Sequence, residues 1–110
     1  MAVELVYDLG AMRENARRIM AAAHPREVRV FAVVKGVCAD PDVAKVLVEE
    51  GVDGLADSRL ENLERLRRLL GFSCPVPFML IRTPLVAEAE RVVALADFSL
   101  RDPSFEISSK

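Results

Sequence analysis

The sequence predicts an α/β fold of parallel strands alternating with helices. Three observations carry that reading. Short, mostly apolar, β-prone runs recur at 28–34, 52–56, 76–81 and 96–100. Between them, apolar residues fall three and four apart, the period of a helix face. Each strand-plus-helix unit takes roughly 20–25 residues, enough for a crossover that returns the chain parallel to itself.

The elements follow in order. A short β-prone run at 3–7 precedes Asp8, which caps a helix with an apolar stripe of Leu9, Met12, Ala16, Ile19, Met20 and Ala23. His24-Pro25 stops that helix, because proline disfavours the α-conformation in the residue before it. The run 28–34 starts with alternation and becomes continuously apolar, as in a strand buried on both faces. Asp40-Pro41 pairs an N-cap with proline at the first helical position, and Gly51 stands where a helix ends. After the strand at 52–56, Ser58-Arg59-Leu60-Glu61 reads as a capping box. It opens a helix carrying Leu60, Leu63, Leu66, Leu69 and Leu70, closed by Gly71. Thr83-Pro84 repeats the cap-plus-proline signal before a helix with Val86, Ala89, Val92 and Val93.

Composition narrows the function. The chain has 110 residues, a length that fits one domain or a piece of something larger. A net charge of −2, with both signs interspersed, gives no electrostatic ground for nucleic acid or an anionic membrane. An apolar fraction of 52% excludes disorder. Two cysteines, Cys38 and Cys74, make no disulfide scaffold and fit no zinc spacing. With His24 as the single histidine, a histidine-built metal site is out. Charged residues interrupt every early apolar run, so the chain reads as soluble and cytoplasmic.

In a parallel α/β sheet the C-terminal strand ends share one edge, where ligands bind. Lys35, Asp57, Arg82 and Leu100 fall near those ends. Lys35 ends the most apolar strand. It either marks the strand's exit into solvent or is an amine held among Phe31, Val33 and Val34. Such partial desolvation favours the neutral form that reacts with carbonyls. Arg82 could neutralise a carboxylate, a phenolate oxygen or a phosphate, or be a partner for Asp57. Ser58 is explained as a helix cap, while Asp57 and Arg59 either serve the ligand edge or form a solvated pair. Glu61, Glu64, Arg65, Arg67 and Arg68 read as a solvated helix face. Cys38 reads as a buried structural thiol and His24 as an exposed loop residue. Lys35-Gly36 lacks the glycine spacing of a phosphate loop. Two closures stay open: a small open sheet, or the first half of a (β/α)8 barrel.

Specific segments resemble the alanine/ornithine racemase family of fold-type III pyridoxal-phosphate enzymes. They are Phe31-Ala-Val-Val-Lys35-Gly-Val-Cys-Ala-Asp40-Pro, then Ala44, Leu47-Val48 and Gly51-Val52-Asp53, then Leu55-Ala-Asp-Ser-Arg59-Leu-Glu-Asn62. The opening Glu4-Leu-Val-Tyr-Asp8-Leu with Asn15 is similar too, as are Met79-Leu-Ile-Arg82-Thr-Pro84 and Ala96-Asp97-Phe-Ser-Leu100, particularly to the ornithine-racemase branch.

The resemblance implies that residues 1–110 are the N-terminal part, cut short, of a (β/α)8 TIM-type barrel domain that continues into a β-rich domain in a homodimer. Lys35 would carry pyridoxal 5'-phosphate and act as one of two bases that racemise a small amino acid. Arg82 is the expected contact to the cofactor ring oxygen or the substrate. The phosphate loops, the arginine facing the pyridine nitrogen and the second base lie further along such chains, so these 110 residues alone should be inactive. Two other readings stay open: a non-catalytic pyridoxal-phosphate homeostasis protein, and a small α/β interaction module.

Overall fold

The computed structural model describes residues 7–37, 39–71 and 74–99. Four parallel strands lie side by side in sequence order: β1 (Phe31–Val33), β2 (Gly54–Asp57), β3 (Phe78–Leu80) and β4 (Phe98–Ser99). The helices are α1 (Leu9–Ala23), α2 (Pro41–Glu49), α3 (Leu60–Leu70) and α4 (Ala89–Leu95). One helix joins each strand to the next, as the sequence predicts. The expectations for residues 3–6, Cys38 and Leu100 lie outside the described residues.

Local chemistry sets the helix ends. Asp8 accepts from the Ala11 amide at 2.9 Å, and Asp40 from the amides of Asp42 and Val43 at 2.9 and 3.2 Å. Gly51 and Gly71 follow α2 and α3 with φ of +94° and +76°, a backbone region costly for any residue with a Cβ. Thr83 is not a cap: a 3₁₀ turn at Val86–Glu88 separates Pro84 from α4. Proline fixes the chain there as extended, and the helix begins only once Glu88 takes the Leu85 amide at 2.9 Å.

The core lies between one face of the sheet and the helices. Leu55, Phe78 and Leu80 point into it with Val34, against Leu60, Leu63 and Leu66 of α3, all with almost no exposure. The opposite face is concave. Its residues fall in one register row, Val33 opposite Ala56, Ala56 opposite Met79, and Met79 opposite Phe98. Val33 and Phe98 are about half exposed, at 53% and 47%. The run ending at Val34 is therefore not buried on both faces: helices cover one side only. Ile19 and Leu69, expected on buried helix stripes, are likewise exposed.

Curvature follows from a glycine. Flat neighbouring strands sit ~4.8 Å apart, so β1 and β4 would stand ~14 Å apart across two intervening strands. Yet the rings of Phe31 on β1 and Phe98 on β4 meet edge to face, with centroids 5.8 Å apart and planes at 82°. Two side chains can meet over that span only if the sheet curls around them. The Phe31 ring passes over Gly54, where a Cβ would overlap it, with even the ring Cζ only 2.7 Å away.

At the N-terminal edge, carboxylates replace missing ladder partners. Asp53, just before β2, accepts from the Val30 amide at 2.7 Å, while its own amide donates to the Val30 carbonyl at 2.8 Å. Asp97, just before β4, treats Phe78 the same way, at 2.9 and 2.8 Å. His24 is exposed, as expected, but not idle: its Nε2 lies 3.0 Å from Asp53 Oδ2. Arg67 is not part of a solvated face. It reaches Asp97 at 2.7 Å and lies 4.0 Å over the Phe78 ring. On the outer surface, Arg13 and Arg17 of α1 pair with Glu49 and Glu50 at the end of α2.

Two outcomes test this account. Gly54→Ala should lower stability by about 1–3 kcal/mol through overpacking, seen as a fall in Tm. Adding Phe31→Leu should recover part of the loss, and strict additivity of the two changes would refute the close approach. The Val30 amide first, and then His24, hold the Asp53 carboxyl below its ordinary range. A lowered carboxyl stabilises the fold above its unfolded pKa and loses that contribution as pH falls through the folded value. The stability gap between wild type and Asp53→Asn should therefore be widest near neutrality and close below about pH 4. A gap independent of pH would refute the charge-based anchor.

Candidate functional site at the C-terminal edge of the sheet

The parallel sheet delivers the ends of β1, β2 and β3 to one edge, and with them Lys35, Asp57 and Arg82. Lys35 opens a 3₁₀ turn, Lys35–Val37, two residues beyond β1. The preceding Val34 is 1% exposed, and its amide still donates to the Ala56 carbonyl of β2 at 2.9 Å. The strand is thus pinned up to the residue before the lysine. Lys35 itself is exposed, where the sequence left open an amine held among Phe31, Val33 and Val34. Next to it, Gly36 has open space where a Cβ would stand.

Asp57 departs furthest from expectation. It is fully buried, not half of a solvated pair. Its Oδ1 accepts from the Arg59 amide at 2.8 Å and its Oδ2 from Asn62 Nδ2 at 3.0 Å. Asp57 therefore does the work expected of Ser58. The first residue before α3 is Arg59, which makes no side-chain cap bond. Arg59 is exposed and lies 3.7 Å from Glu61. The apolar burial of β2 carries Asp57 under the start of α3, where a carboxylate meets an amide that would otherwise lack a partner.

Arg82 is not a partner for Asp57. Its Nη1 and Nη2 each donate to one Glu88 oxygen at 2.8 Å, the parallel two-pronged contact that suits a guanidinium and a carboxylate. Its Nε donates to the Ser58 carbonyl at 2.8 Å, and Nη1 lies 3.5 Å from the Thr83 carbonyl. Glu88 also accepts from the Leu85 amide. Arg82 first, and then that amide, pull the Glu88 carboxyl down to about 2. The pair is charge-neutral and ties the turn after β2 to the loop after β3. Four of the five guanidinium N–H groups are directed at protein oxygens, which leaves one.

Glu88 and Asn62 were the site residues missed from sequence. Both lie five or six positions from their partners, at the far end of a turn. The available signal was chemical: a buried strand ending in an arginine needs an anion, and Glu88 is the first acidic residue after it. Two clefts of ≈350 and ≈440 Å³ open elsewhere, between helices: one beside Lys45, Val48 and Cys74, the other beside Arg68, Gly71 and Leu95. Neither touches the strand ends. Among the described residues no group of acidic, histidine or cysteine side chains could hold a metal ion, and no helix is long and apolar enough to cross a membrane.

Comparison with known proteins places this edge in context. The family model for the alanine racemase N-terminal domain matches residues 7–101. Ornithine racemase of Acetoanaerobium sticklandii is 35% identical over 100 residues, 91% of this chain and 27% of that protein. Lysine racemase of Thermotoga maritima is 31% identical over 94 residues, 86% of this chain and 26% of its own length. The chain thus spans about a quarter of the length of these relatives. No solved structure gives a significant match. A match that spans all the described residues, on four parallel strands that deliver a lysine to the C-terminal edge, makes this chain a member of the alanine racemase N-terminal domain family.

Proposed function

We propose that these residues form the lysine-bearing part of a pyridoxal-phosphate-dependent amino-acid racemase. The observation that carries the reading is the place of Lys35: an exposed primary amine at the C-terminal edge of a parallel sheet, within the segment matched by the racemase family model. A primary amine fits the aldehyde of the cofactor, and the open space at Gly36 lets a ligand approach the backbone beside it. When bound, pyridoxal phosphate supplies an electron sink that acidifies the Cα–H bond of an amino acid.

The remaining chemistry belongs to the chain. Lys35 Nζ would hold the cofactor through its amine and would exchange the Cα proton on one face of the substrate, while the second base would exchange it on the other. The second base, the phosphate contacts and the elements that exclude water from Lys35 belong to the other three quarters of a racemase of the relatives' length. That complete protein is proposed as a cytoplasmic homodimer. The names of the two relatives point to a substrate with an amine at the end of its side chain, and they favour a racemase over a non-catalytic homeostasis protein. Arg82 could contact the ring oxygen or the substrate carboxylate only through its one remaining N–H.

The chain carries its own control, because Lys45 on α2 is also exposed. In a full-length racemase that contains these residues, incubation with pyridoxal 5'-phosphate, borohydride reduction and peptide mapping should place more label on Lys35 than on Lys45. In the same protein, Lys35→Ala should abolish both the excess and the turnover. Equal labelling of the two lysines would overturn the assignment.

A further inference from the structure

The order of the strands gives the Arg82–Glu88 pair a bearing on the lysine that neither residue has through direct contact. β2 lies between β1 and β3. The turn after β2, centred on Ser58, is therefore the stretch of rim adjacent to Lys35. That turn is held from two sides. From below, the buried Asp57 carboxylate takes the Arg59 amide and Asn62. From the far side, Arg82 Nε takes the Ser58 carbonyl at 2.8 Å. Arg82 is in turn fixed by both Glu88 oxygens, and Glu88 by the Leu85 amide. The chain of contacts runs Leu85, Glu88, Arg82, Ser58, and it ends beside the lysine.

Since Asp57 serves as the cap, the Ser58 turn is free of that duty. Among the described residues, its carbonyl accepts from Arg82 Nε. We propose that Glu88 and Arg82 are positioning residues for the Lys35 site: Glu88 orients the guanidinium, and the guanidinium fixes the Ser58 turn as the wall against which a ligand on Lys35 rests. The inference builds on the reading of Lys35 given above. It assigns the pair no contact with the reacting atoms.

Glu88→Gln offers one acceptor oxygen and puts an amide donor against a guanidinium donor, so the two-pronged contact fails. The excess of borohydride-fixed pyridoxyl label on Lys35 over Lys45 should then fall by roughly three- to tenfold, the shift expected from one lost net hydrogen bond. Label on Lys45 and the far-UV circular dichroism should stay unchanged. The exchanged pair R82E/E88R separates positioning from stability. It can restore the ion pair, and with it Tm, but places no N–H donor from position 82 beside the Ser58 carbonyl, so the Lys35 excess should stay low.

If Tm and the Lys35 excess recover together, the pair is only a brace and the proposal is overturned. It is equally overturned if Glu88→Gln leaves the excess at the wild-type value. Should Glu88→Gln melt below the assay temperature, Arg82→Lys gives the same reading, because it keeps the charge toward Glu88 and loses the fork. Equal labelling of both lysines in the wild type would instead overturn the assignment of Lys35, an outcome distinct from failure of the clamp.

Discussion

The missing side chain at Gly54 is the constraint on which the shape of the sheet depends. Because β2 begins without a Cβ, the Phe31 ring can lie across it and reach Phe98 on β4. That contact exists only in a sheet that curls toward the two rings. A curled parallel sheet, covered by helices on its convex side, is the geometry of part of a (β/α)8 barrel. The curl gives the strand ends a common focus, so residues at the ends of β1, β2 and β3 border one space.

Polar groups then lock the two edges of the sheet by different means. At the N-terminal edge, Asp53 and Asp97 each give a neighbouring strand one backbone and one side-chain hydrogen bond, the same device used twice two strands apart. At the C-terminal edge the locks are the buried Asp57 and the Arg82–Glu88 pair, and they fasten loops, not strands. Every buried side-chain nitrogen or oxygen among the described residues has a partner. A carboxylate as buried as that of Asp57 is tolerable because both of its oxygens accept from donors that would otherwise be unpaired.

Much of this was legible in the sequence, because it rests on short-range chemistry. Asp8 and Asp40 cap helices a few residues away, and Gly51 and Gly71 sit where a helix must turn left-handed. The parallel alternation of strands and helices followed from the unit length and the handedness of crossovers, whereas the sequential strand order did not. What escaped notice depends on which neighbours the fold supplies. Ser58 and Asp57 are adjacent and both are capable caps, but β2 buries Asp57 beneath α3, and that burial decides between them. Val33 is as apolar as Val34, but one faces the concave side and the other the helices. Arg67 sits among solvated charges in sequence, and only the arrival of β4 gives it Asp97 and the Phe78 ring.

The same distinction bears on the lysine. Its position in the sequence, at the end of an apolar run, suggested an amine desolvated by its own strand. The structure separates the two requirements of a reactive lysine: place and dryness. The bond from the Val34 amide to the Ala56 carbonyl of β2 fixes the place. Dryness needs a roof over the concave face, and Val33 and Phe98 are still half exposed there. In a (β/α)8 barrel that face is closed by strands from the rest of the domain, which fill the interior in layers of side chains. Under the proposed function, Lys35 would be positioned by these β/α units and desolvated by others, which would make its reactivity a property of the closed barrel. The half that sets its position carries its own rigid rim, and Ser58, Arg82 and Glu88 are the residues through which that rim is held.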